Sequence, residues 1–417
     1  MPTIQDDPAR EQHLLTAEKP VSLWRNRDYL LLWSGQSISA IGSAVSELAF
    51  PLLVLAVTHS PAEAGFTAAL RALPVVFIGL LGGLLVDRWD RKRIMICCDI
   101  GRALSMVSIP IALMLGHLTI IQLYITALLE GALAVFFGFA HTASLSQVVA
   151  GEQLSAAVAQ EEVMEGTTAL FGPTLSGALF TAGRMLPFLA DAISYTISIF
   201  TLLLIRTPFQ KQRATERSRL RVEISQGMVW MWRQPFIRAM TLLSGGSALI
   251  LPGSVLITIV LAEQQHASAV IIGLIFAAGG VASVLGSLLS PLIQKRLTVG
   301  QSILAVRWLF ALLWPFYFIA PYPVVLGAVE LGFGFADPVE DVAYFSYRLA
   351  LIPDELKGRV ISACRLFPGT IRPIGLALTG LLLQHFGAAP TALICWGYLL
   401  VLNILMTFSS HIRNAGR

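Results

Sequence analysis

The chain has 417 residues, of which 55% are hydrophobic and only 13% are charged, and its mean hydropathy is +0.72. About a quarter of the residues of an average soluble domain are charged, and a soluble protein with so few charges would expose large apolar patches. These values exclude a soluble enzyme, a DNA-binding protein and a disordered scaffold, so the formal net charge of +4 gives no reason to expect nucleic acid. The composition indicates a protein that crosses a membrane many times.

Twelve apolar stretches are long enough to cross a bilayer, which takes about 20 mainly apolar residues in a helix. They predict an all-α protein with six-helix bundles at 29–205 and 236–410, a linker at 206–235 and tails at 1–28 and 411–417. The first tail is polar and lacks the apolar core of a cleavable signal peptide. The twelve predicted transmembrane helices are 29–57, 62–86, 94–115, 118–142, 160–182, 185–205, 236–262, 267–291, 301–320, 323–346, 361–384 and 389–409.

Positive charges collect on one side of the predicted spans. Of the 29 Lys and Arg residues, 24 lie in the tails, the linker and the turns that share a side with them, four lie within spans, and Arg184 lies in an opposite turn. Cytoplasmic segments of membrane proteins carry an excess of Lys and Arg, so we expect both termini in the cytoplasm. The short loops favour a bacterial plasma membrane.

The linker contains one amphipathic segment. Within 216–233, Leu220, Ile224, Met228 and Trp232 recur every four residues, while arginines occupy the other faces. This pattern predicts a helix that lies on the inner membrane surface. A regulatory site for a partner is the alternative interpretation.

The two halves of the chain repeat each other. Residues 150–180 align without a gap with residues 353–383, and three glycines match within the alignment. Glycines at fixed spacing in a membrane helix imply close approach of another helix, so span five corresponds to span eleven in a tandem duplication. The matching pairs are Gly166 with Gly369, Gly172 with Gly375, and Gly177 with Gly380.

The turn between spans two and three carries a charged motif, GGLLVDRWDRKR at positions 82–93. It resembles the signature loop of the major facilitator superfamily, G-x-x-x-D-R-x-G-R-[RK], with Asp90 in place of the second glycine; an ordinary basic turn is the alternative. The resemblance implies that Asp87 helps to latch the cytoplasmic side shut against span eleven, while the arginines pair with acids across the two halves. The matching residues are Gly83, Asp87, Arg88, Arg91 and Lys92.

Span five carries a second motif, GPTLSG at positions 172–177. Gly172, Pro173 and Gly177 make it similar to the antiporter motif G-P-x-x-G-G of that superfamily, with Ser176 in place of one glycine. The resemblance implies export rather than import. An ordinary helix kinked at its proline is the alternative.

The turn before span eleven, IPDELKGRV at positions 352–360, places Asp354, Glu355 and Arg359 at the predicted gate. Together with Leu154 and the Gly-Pro pair of span five, it resembles the branch of the superfamily that holds the enterobactin exporter and the macrolide efflux proteins. Midway along span four, residues 128–131 read LLEG, where many drug–proton antiporters of the superfamily carry an arginine. The resemblance therefore leaves the coupling mechanism open.

Ionisable residues inside a span are costly and are candidates for function. Glu47, Arg71, Glu130, Glu330 and Arg372 lie deepest and are the predicted proton or substrate residues. A buried structural ion pair, such as Glu47 with Arg71, is the alternative for each. We favour a proton-carrying role for Glu47 and Glu130, because a carboxylate in a low-dielectric cavity holds its proton more tightly.

Other charged residues are predicted near the cytoplasmic ends of their spans, where a latch or a side chain reaching the interface is expected. These residues are Asp99, Arg102, Glu161, Glu162, Glu340 and Asp341.

The combined patterns and the resemblance predict a secondary active transporter and not an enzyme. It would export a small amphipathic compound, such as a drug, a macrolide or a siderophore-like metabolite, in exchange for protons. No nucleotide-binding loop or metal motif occurs in the sequence, so we expect no cofactor. The expected partners are a small-molecule substrate, protons and the lipid bilayer. We expect the protein to be a monomer. An importer of the same fold and a non-transporting membrane sensor or scaffold are the alternatives.

Overall fold

The computed structural model describes residues 23–79, 89–209 and 220–416. Within these ranges the regular structure is helical and includes no strand. Ten helices are long and apolar enough to cross a membrane. Two further helices of 29 residues each, Leu154–Ala182 and Pro323–Leu351, pack among them but carry three and four carboxylates. The arrangement is consistent with the predicted twelve spans.

We label the spanning helices α1 to α12 in chain order, with the seventh in two parts, and name the helix before it the linker helix. Most predicted spans agree with these helices, although α4, α5 and α10 extend about one and a half turns beyond their predicted bounds at the end nearer the linker. The bounds are α1 Arg27–Thr58, α2 Pro61–Ala72, α3 Arg91–Met114, α4 Ile120–Val148, α5 Leu154–Ala182, α6 Leu186–Leu204, linker helix Leu220–Arg233, α7a Pro235–Ala248, α7b Ser254–Gln264, α8 Ala269–Gln294, α9 Val299–Leu313, α10 Pro323–Leu351, α11 Lys357–Phe386 and α12 Ala388–Phe408.

Side-chain caps fix where several helices begin. The side-chain oxygens of Asn26, Ser60, Asp90 and Thr119 each accept a hydrogen bond from the backbone N–H three residues further on, which satisfies a donor that the first helical turn leaves free. Asp90 thus caps α3. This role gives a physical reason for the aspartate that replaces a glycine of the family motif.

The seventh predicted span, 236–262, is confirmed by the apolar segment Pro235–Gln264, but its helix is interrupted. It breaks between Ala248 and Ser254, where Leu251–Gly253 forms a short 3-10 turn around Pro252. Proline removes a backbone donor and clashes with the preceding turn. Non-helical backbone is tolerated at membrane depth where it is buried in protein or lines a cavity, and Pro252 lines the cavity described below.

Two ends of the molecule are distinguished by their turns. We call the end that carries the linker helix, Asp90 and Pro353 the linker end, and the end that carries the turns at 59–60 and 265–268 the opposite end. The two halves of the chain pack against each other mainly through α2 with α11 and through α5 with α8.

Close glycine contacts mark these two crossings. A Cβ atom built on Gly65 of α2 would lie 2.7 Å from Gly380 Cα of α11, and one on Gly177 of α5 would lie 2.2 Å from the Ala269 carbonyl oxygen of α8. The Ser60 hydroxyl also donates to Gln384 Oε1 at 2.9 Å across the halves. All these contacts lie toward the opposite end, so the halves are closed against each other there.

The predicted repeat is visible in the packing. Gly172 of α5 faces Ala44 on the first helix of its half, and its counterpart Gly375 of α11 faces the Leu249 carbonyl beside α7a. Gly177 and Gly380 are the pair that instead reach the other half. Two of the three repeated glycine pairs therefore make the same kind of contact in both halves.

Candidate transport cavity and buried charge clusters

A cavity lies between the two halves and has two chambers. The first, of about 400 Å³, is lined by Glu47, Arg71 and Arg372 among apolar residues, and we call it the arginine chamber. The second, of about 540 Å³, is lined by Glu47, Glu165 and Glu330 and by no basic residue, and we call it the glutamate chamber. Glu47 lines both, so four of the five deepest predicted charges come together at this cavity.

Glu47 and Arg71 do not form an ion pair within 4.0 Å in the described part of the chain, so the alternative interpretation of a structural ion pair does not hold for these two residues. The Arg71 guanidinium carbon instead lies 5.8 Å from the centre of the Phe50 ring. The two charges share a chamber with space between them. A bound molecule can contact both.

Glu330 is held in place on the wall of the glutamate chamber by two hydrogen bonds. Its Oε1 atom accepts hydrogen bonds from the Thr258 hydroxyl of α7b and the Tyr317 hydroxyl, both at 3.0 Å. These donors stabilise a carboxylate at this position. They hold the side chain on the wall of the chamber.

The fifth predicted residue, Glu130, does not line either chamber. Its Oε1 atom accepts from Arg102 Nε at 2.8 Å and from the Tyr195 hydroxyl at 2.6 Å. Arg102 also donates to the Ser43 hydroxyl at 3.3 Å and lies 3.8 Å from Asp99 Oδ1. Glu130 is therefore part of a buried charge cluster inside the first half.

Two more carboxylates belong to this cluster, which we call the N-half cluster. Asp99 accepts a hydrogen bond from the Ser198 hydroxyl at 2.6 Å, and Asp191 accepts one from the Ser194 hydroxyl at 3.3 Å. Asp99, Glu130 and Asp191 each have 0% exposed surface, and Arg102 has 7%.

The interface roles predicted for Asp99 and Arg102 are therefore wrong. Asp99 is eight residues beyond the start of α3 at Arg91, which at 1.5 Å per residue is about 12 Å along the helix. Both side chains turn inward, where Glu130 and Ser198 bind them. The charges of Asp99 and Arg102 are compensated by neighbouring side chains and not by water.

The second half contains a simpler buried pair, which we call the C-half pair. Arg307 Nη2 and Nε donate to Glu340 Oε1 at 2.6 and 2.9 Å, and Nη1 donates to the Ser247 hydroxyl at 2.8 Å. Glu340 is buried with 5% exposed surface, so its predicted latch or interface role is also wrong.

The charged motif before α3 is described only in part. Gly83, Asp87 and Arg88 lie outside the described residues. Arg91 donates to the Ala143 carbonyl at 2.9 Å, and Lys92 donates to the Ile205 carbonyl at 2.8 Å. Cations at the C-terminal ends of α4 and α6 compensate the free carbonyls and the helix dipole, so both residues tie helix ends of the first half together. Their pairing with acids across the halves stays a prediction.

The other predicted motifs fall at two places. Gly172, Pro173 and Gly177 lie in the packed part of α5, where Pro173 carbonyl oxygen would sit 2.4 Å from a Cβ on Gly273. Asp354 lies on the surface, and Lys357 at 2.5 Å lowers the pKa of its carboxyl. Glu355 is in the same turn, but its side chain is outside the description.

Arg359 connects the gate turn to the linker helix. Its Nη1 donates to Gln226 Oε1 at 2.7 Å, and a Cβ on Gly227 would lie 2.6 Å from the Arg359 carbonyl oxygen. The amphipathic pattern thus correctly predicts a helix, in which Met231 is buried while Met228 and Trp232 are exposed. The helix packs on the start of α11.

Sequence reasoning did not select Glu165, Asp191 or Tyr195 as site residues. The one signal for Asp191 is that it is the single acid in α6. Tyr195 and Ser43 carry no signal of their own, since hydroxyl groups are common in membrane helices. Only the packing of α1, α3, α4 and α6 brings them to Glu130.

Paired helical halves that enclose a cavity with charged walls have the architecture of a secondary transporter. The sequence profile of the Major Facilitator Superfamily matches residues 32–372. The chain belongs to this superfamily, and it is a multi-pass membrane transporter.

Relatives include efflux proteins. The multidrug efflux pump Tap of Mycolicibacterium fortuitum is 24% identical over 401 residues, which cover 92% of this chain and 96% of the pump. The macrolide efflux protein A of Streptococcus pyogenes is 25% identical over 186 residues, 44% of this chain and 46% of that protein. The uncharacterized MFS-type transporter YfiS of Bacillus subtilis is 30% identical over 226 residues, about half of each chain at 53% and 52%. The predicted family and its efflux branch are confirmed.

Solved structures share the fold. The crystal structure of a bacterial homologue of the iron transporter ferroportin in its inward-facing state has a TM-score of 0.73 at 17% identity, covering 93% of this chain and 99% of that one. The outward-facing structure of such a homologue has a TM-score of 0.59 at 18% identity, covering 90% and 98%. These likenesses confirm the predicted all-helical major facilitator fold.

Proposed function

We propose that this transporter exports cationic amphipathic compounds, including drugs, in exchange for protons. The observation that carries this proposal is the glutamate chamber, which combines three carboxylates with an apolar wall and no basic side chain. A cavity of this kind attracts a cation by charge and holds its apolar body by burial.

The substrate class follows from the two chambers together. Glu47, Glu165 and Glu330 favour a positive charge in one chamber, while Arg71 and Arg372 favour an acceptor or an anionic group in the other. Phe50 and Phe276 add aromatic surface, which also attracts cations. An elongated molecule with a cationic end and a polar neutral end fits both. The similarity to the multidrug efflux pump Tap and to the macrolide efflux protein A supports export of such compounds.

The proposed orientation places the linker end in the cytoplasm. The excess of Lys and Arg in the tails, linker and linker-end turns supports it through the positive-inside rule. The closed opposite end then faces outward, and this conformation is the one that loads substrate from the cytoplasm or inner leaflet. The host membrane in this proposal is a bacterial plasma membrane.

The moving parts in this proposal are two bundles, 29–205 and 236–410, joined by the linker at 206–235 and flanked by the tails. Gly83, Asp87, Arg88, Arg91 and Lys92 form the cytoplasmic gate with Asp354, Glu355 and Arg359. Gly172, Pro173 and Gly177 form the crossing on which α5 moves against α8. The protein acts as a monomer, because each chain holds a whole cavity.

Uptake into inverted membrane vesicles tests this function. With an inside-acid gradient, we expect vesicles that contain the protein to accumulate ethidium, and Glu330→Gln to reduce the initial rate at least about tenfold, since one lost charge contact of about 1.4 kcal/mol is tenfold. The matched control is Glu152→Gln, an exposed acid of the linker-end turn, which should transport like wild type. Gradient-independent ethidium levels in all vesicles would contradict the proposal.

A further inference from the structure

The N-half cluster has more negative than positive groups. Three carboxylates, Asp99, Glu130 and Asp191, surround one guanidinium, Arg102, and all are buried. If all three carboxylates were ionised, the cluster would carry two uncompensated negative charges, which are costly in the low-dielectric interior of a protein. Asp191 Oδ2 and Glu130 Oε2 make no hydrogen bond with the described residues.

The C-half pair can be compared with the N-half cluster, because corresponding helices of the two halves supply the same residue types. The first, third and fourth helices of each half give a serine, an arginine and a glutamate: Ser43, Arg102 and Glu130 in one, Ser247, Arg307 and Glu340 in the other. The helices α9 and α12 contain no Asp or Glu, whereas their counterparts α3 and α6 supply Asp99 and Asp191. The C-half pair is neutral. The further acids near Arg307, Asp337 and Asp341 of α10, are exposed, whereas the surplus acids of the first half, Asp99 and Asp191, are buried.

We propose that the N-half cluster, and not Glu47 or Glu330 on the cavity wall, holds the exchangeable proton of the transport cycle. Loading places the proton on a carboxylate oxygen of Asp99, Glu130 or Asp191. Unloading returns it to water as hydronium, so only an O–H bond forms or breaks and the cluster changes by one charge. This inference rests on the proposed proton exchange and deepens it.

Among the described residues, the ionisable groups that act on the cluster all belong to the first half. Arg102 is the cation in contact, and Arg71 of α2 also acts electrostatically on Asp191. The helix α1 contributes only hydroxyl groups, Ser43 and Ser46. The ionisable groups are Arg71, Cys98, Asp99, Arg102, Glu130, Asp191 and Tyr195.

A polar chain leads from the cluster toward the linker end. Ser198 donates to Asp99, and Gln36 donates to Ser198 at 3.1 Å. Gln36 lines a cavity of about 10 Å³, which His141 and Glu161 also line, and about this volume is the least that holds one water molecule. His141 Nε2 lies 3.4 Å from Glu161 Oε1, and the Glu161 side chain is 27% exposed. One water molecule in this cavity would connect the cluster to the surface.

The cluster also adjoins the substrate cavity. Ser43 and Ser46 face the cluster from α1, and Glu47 on the same turn of α1 lines both chambers. Gly131, the neighbour of Glu130, lines the arginine chamber. A substrate in the cavity and a proton in the cluster thus act on the same short segments of α1 and α4.

Infrared spectroscopy of the purified full-length protein tests the site without a substrate. The carbonyl stretch of protonated carboxylic acids is followed during a pH titration, in wild type and in four single variants. We expect wild type to hold a protonated carboxyl at neutral pH, and Asp191→Asn and Glu130→Gln each to lose that titrating band. Glu47→Gln and Glu330→Gln, the matched cavity variants, should keep it.

The outcomes separate this inference from the proposed export. A wild-type protein without a protonated carboxyl at neutral pH would overturn the inference without any variant, and so would loss of the band in Glu330→Gln alone. If the band behaves as expected but ethidium is not transported, the proton site stands and the export proposal fails. If ethidium is transported while the band survives both cluster variants, the export proposal stands and the site is overturned.

Discussion

Arg102 and Arg307, both buried, differ in how many acids lie close to them, and this number determines whether each one forms a neutral pair. Arg307 has one acid within 4.0 Å in the described part of the chain, Glu340, and the two form a neutral structural unit with Ser247. Arg102 has Glu130 and Asp99 within that distance, and Asp191 is near. Removing the glutamate therefore has different consequences in the two halves, because Arg102 keeps Asp99 within 4.0 Å and Arg307 keeps no described acid at that distance.

Glu340→Gln should destabilise the protein more than Glu130→Gln. The first removes the acid that contacts the buried Arg307, and breaking a buried pair costs about 3–5 kcal/mol. The second leaves Arg102 beside Asp99 and costs on the order of 1 kcal/mol for a weakened hydrogen bond. Thermal unfolding of both purified variants in the same detergent measures the difference. Equal losses, or a larger loss in Glu130→Gln, would be incompatible with this account of the two arginines.

The limits of sequence reasoning are clearest at these residues. Depth along a span can be estimated from the sequence, and it selects Glu47, Arg71, Glu330 and Arg372, which do reach the cavity. The direction in which a side chain points around its helix depends on which neighbours pack there. For that reason the sequence predicts that Glu130 is a proton or substrate residue, but it does not predict that the side chain points away from the cavity.

Two helix crossings join the halves, and both depend on the absence of a side chain. On α5 and α8, Gly177, Gly273 and Gly280 each face backbone atoms of the other helix, and close backbone approach of this kind is how membrane helices associate. The α2–α11 crossing is the counterpart made by Gly65 and Gly380. The repeat in the sequence predicts two of these five glycines, Gly177 and Gly380.

Gly177→Ala should loosen the α5–α8 crossing. Its Cβ would lie 2.2 Å from the Ala269 carbonyl oxygen, so the helices must separate, and overpacking of this kind costs about 1–3 kcal/mol. Gly166→Ala on the same helix is the matched control, because nothing lies within 4 Å of its added Cβ and alanine favours helix by about 1 kcal/mol. Thermal unfolding should show Gly177→Ala below wild type and Gly166→Ala at or above it. A Gly177→Ala protein as stable as the Gly166→Ala protein would disprove the close crossing.

Helix boundaries can be predicted where the hydropathy of the sequence changes. They cannot be predicted where only the course of the backbone changes. Apolar runs place nearly all of the spans, but hydropathy cannot distinguish a straight helix from the broken α7, since Leu251 and Pro252 are apolar as well.

At the scale of the whole molecule, the halves touch at the opposite end and enclose a cavity that adjoins the N-half cluster. Transport by alternating access requires that this closed end open while the linker end closes. Intact arginine–glutamate units within each half, and helix ends tied by Arg91 and Lys92, let each half move as a unit. The glycine crossings at α2–α11 and α5–α8 are then the places where the motion occurs.

Cross-linking the opposite end tests this account most directly. Ser60 and Gln384 are hydrogen-bonded across the halves at 2.9 Å, and both are replaced by cysteine in a protein whose four native cysteines are alanine. We expect a short bifunctional thiol reagent with a reducible bridge to join them, to stop gradient-driven ethidium uptake in inverted vesicles, and a reductant to restore it. The single-cysteine proteins, treated alike, should transport throughout. Full uptake by the cross-linked protein would contradict the claim that the halves separate at this end during transport.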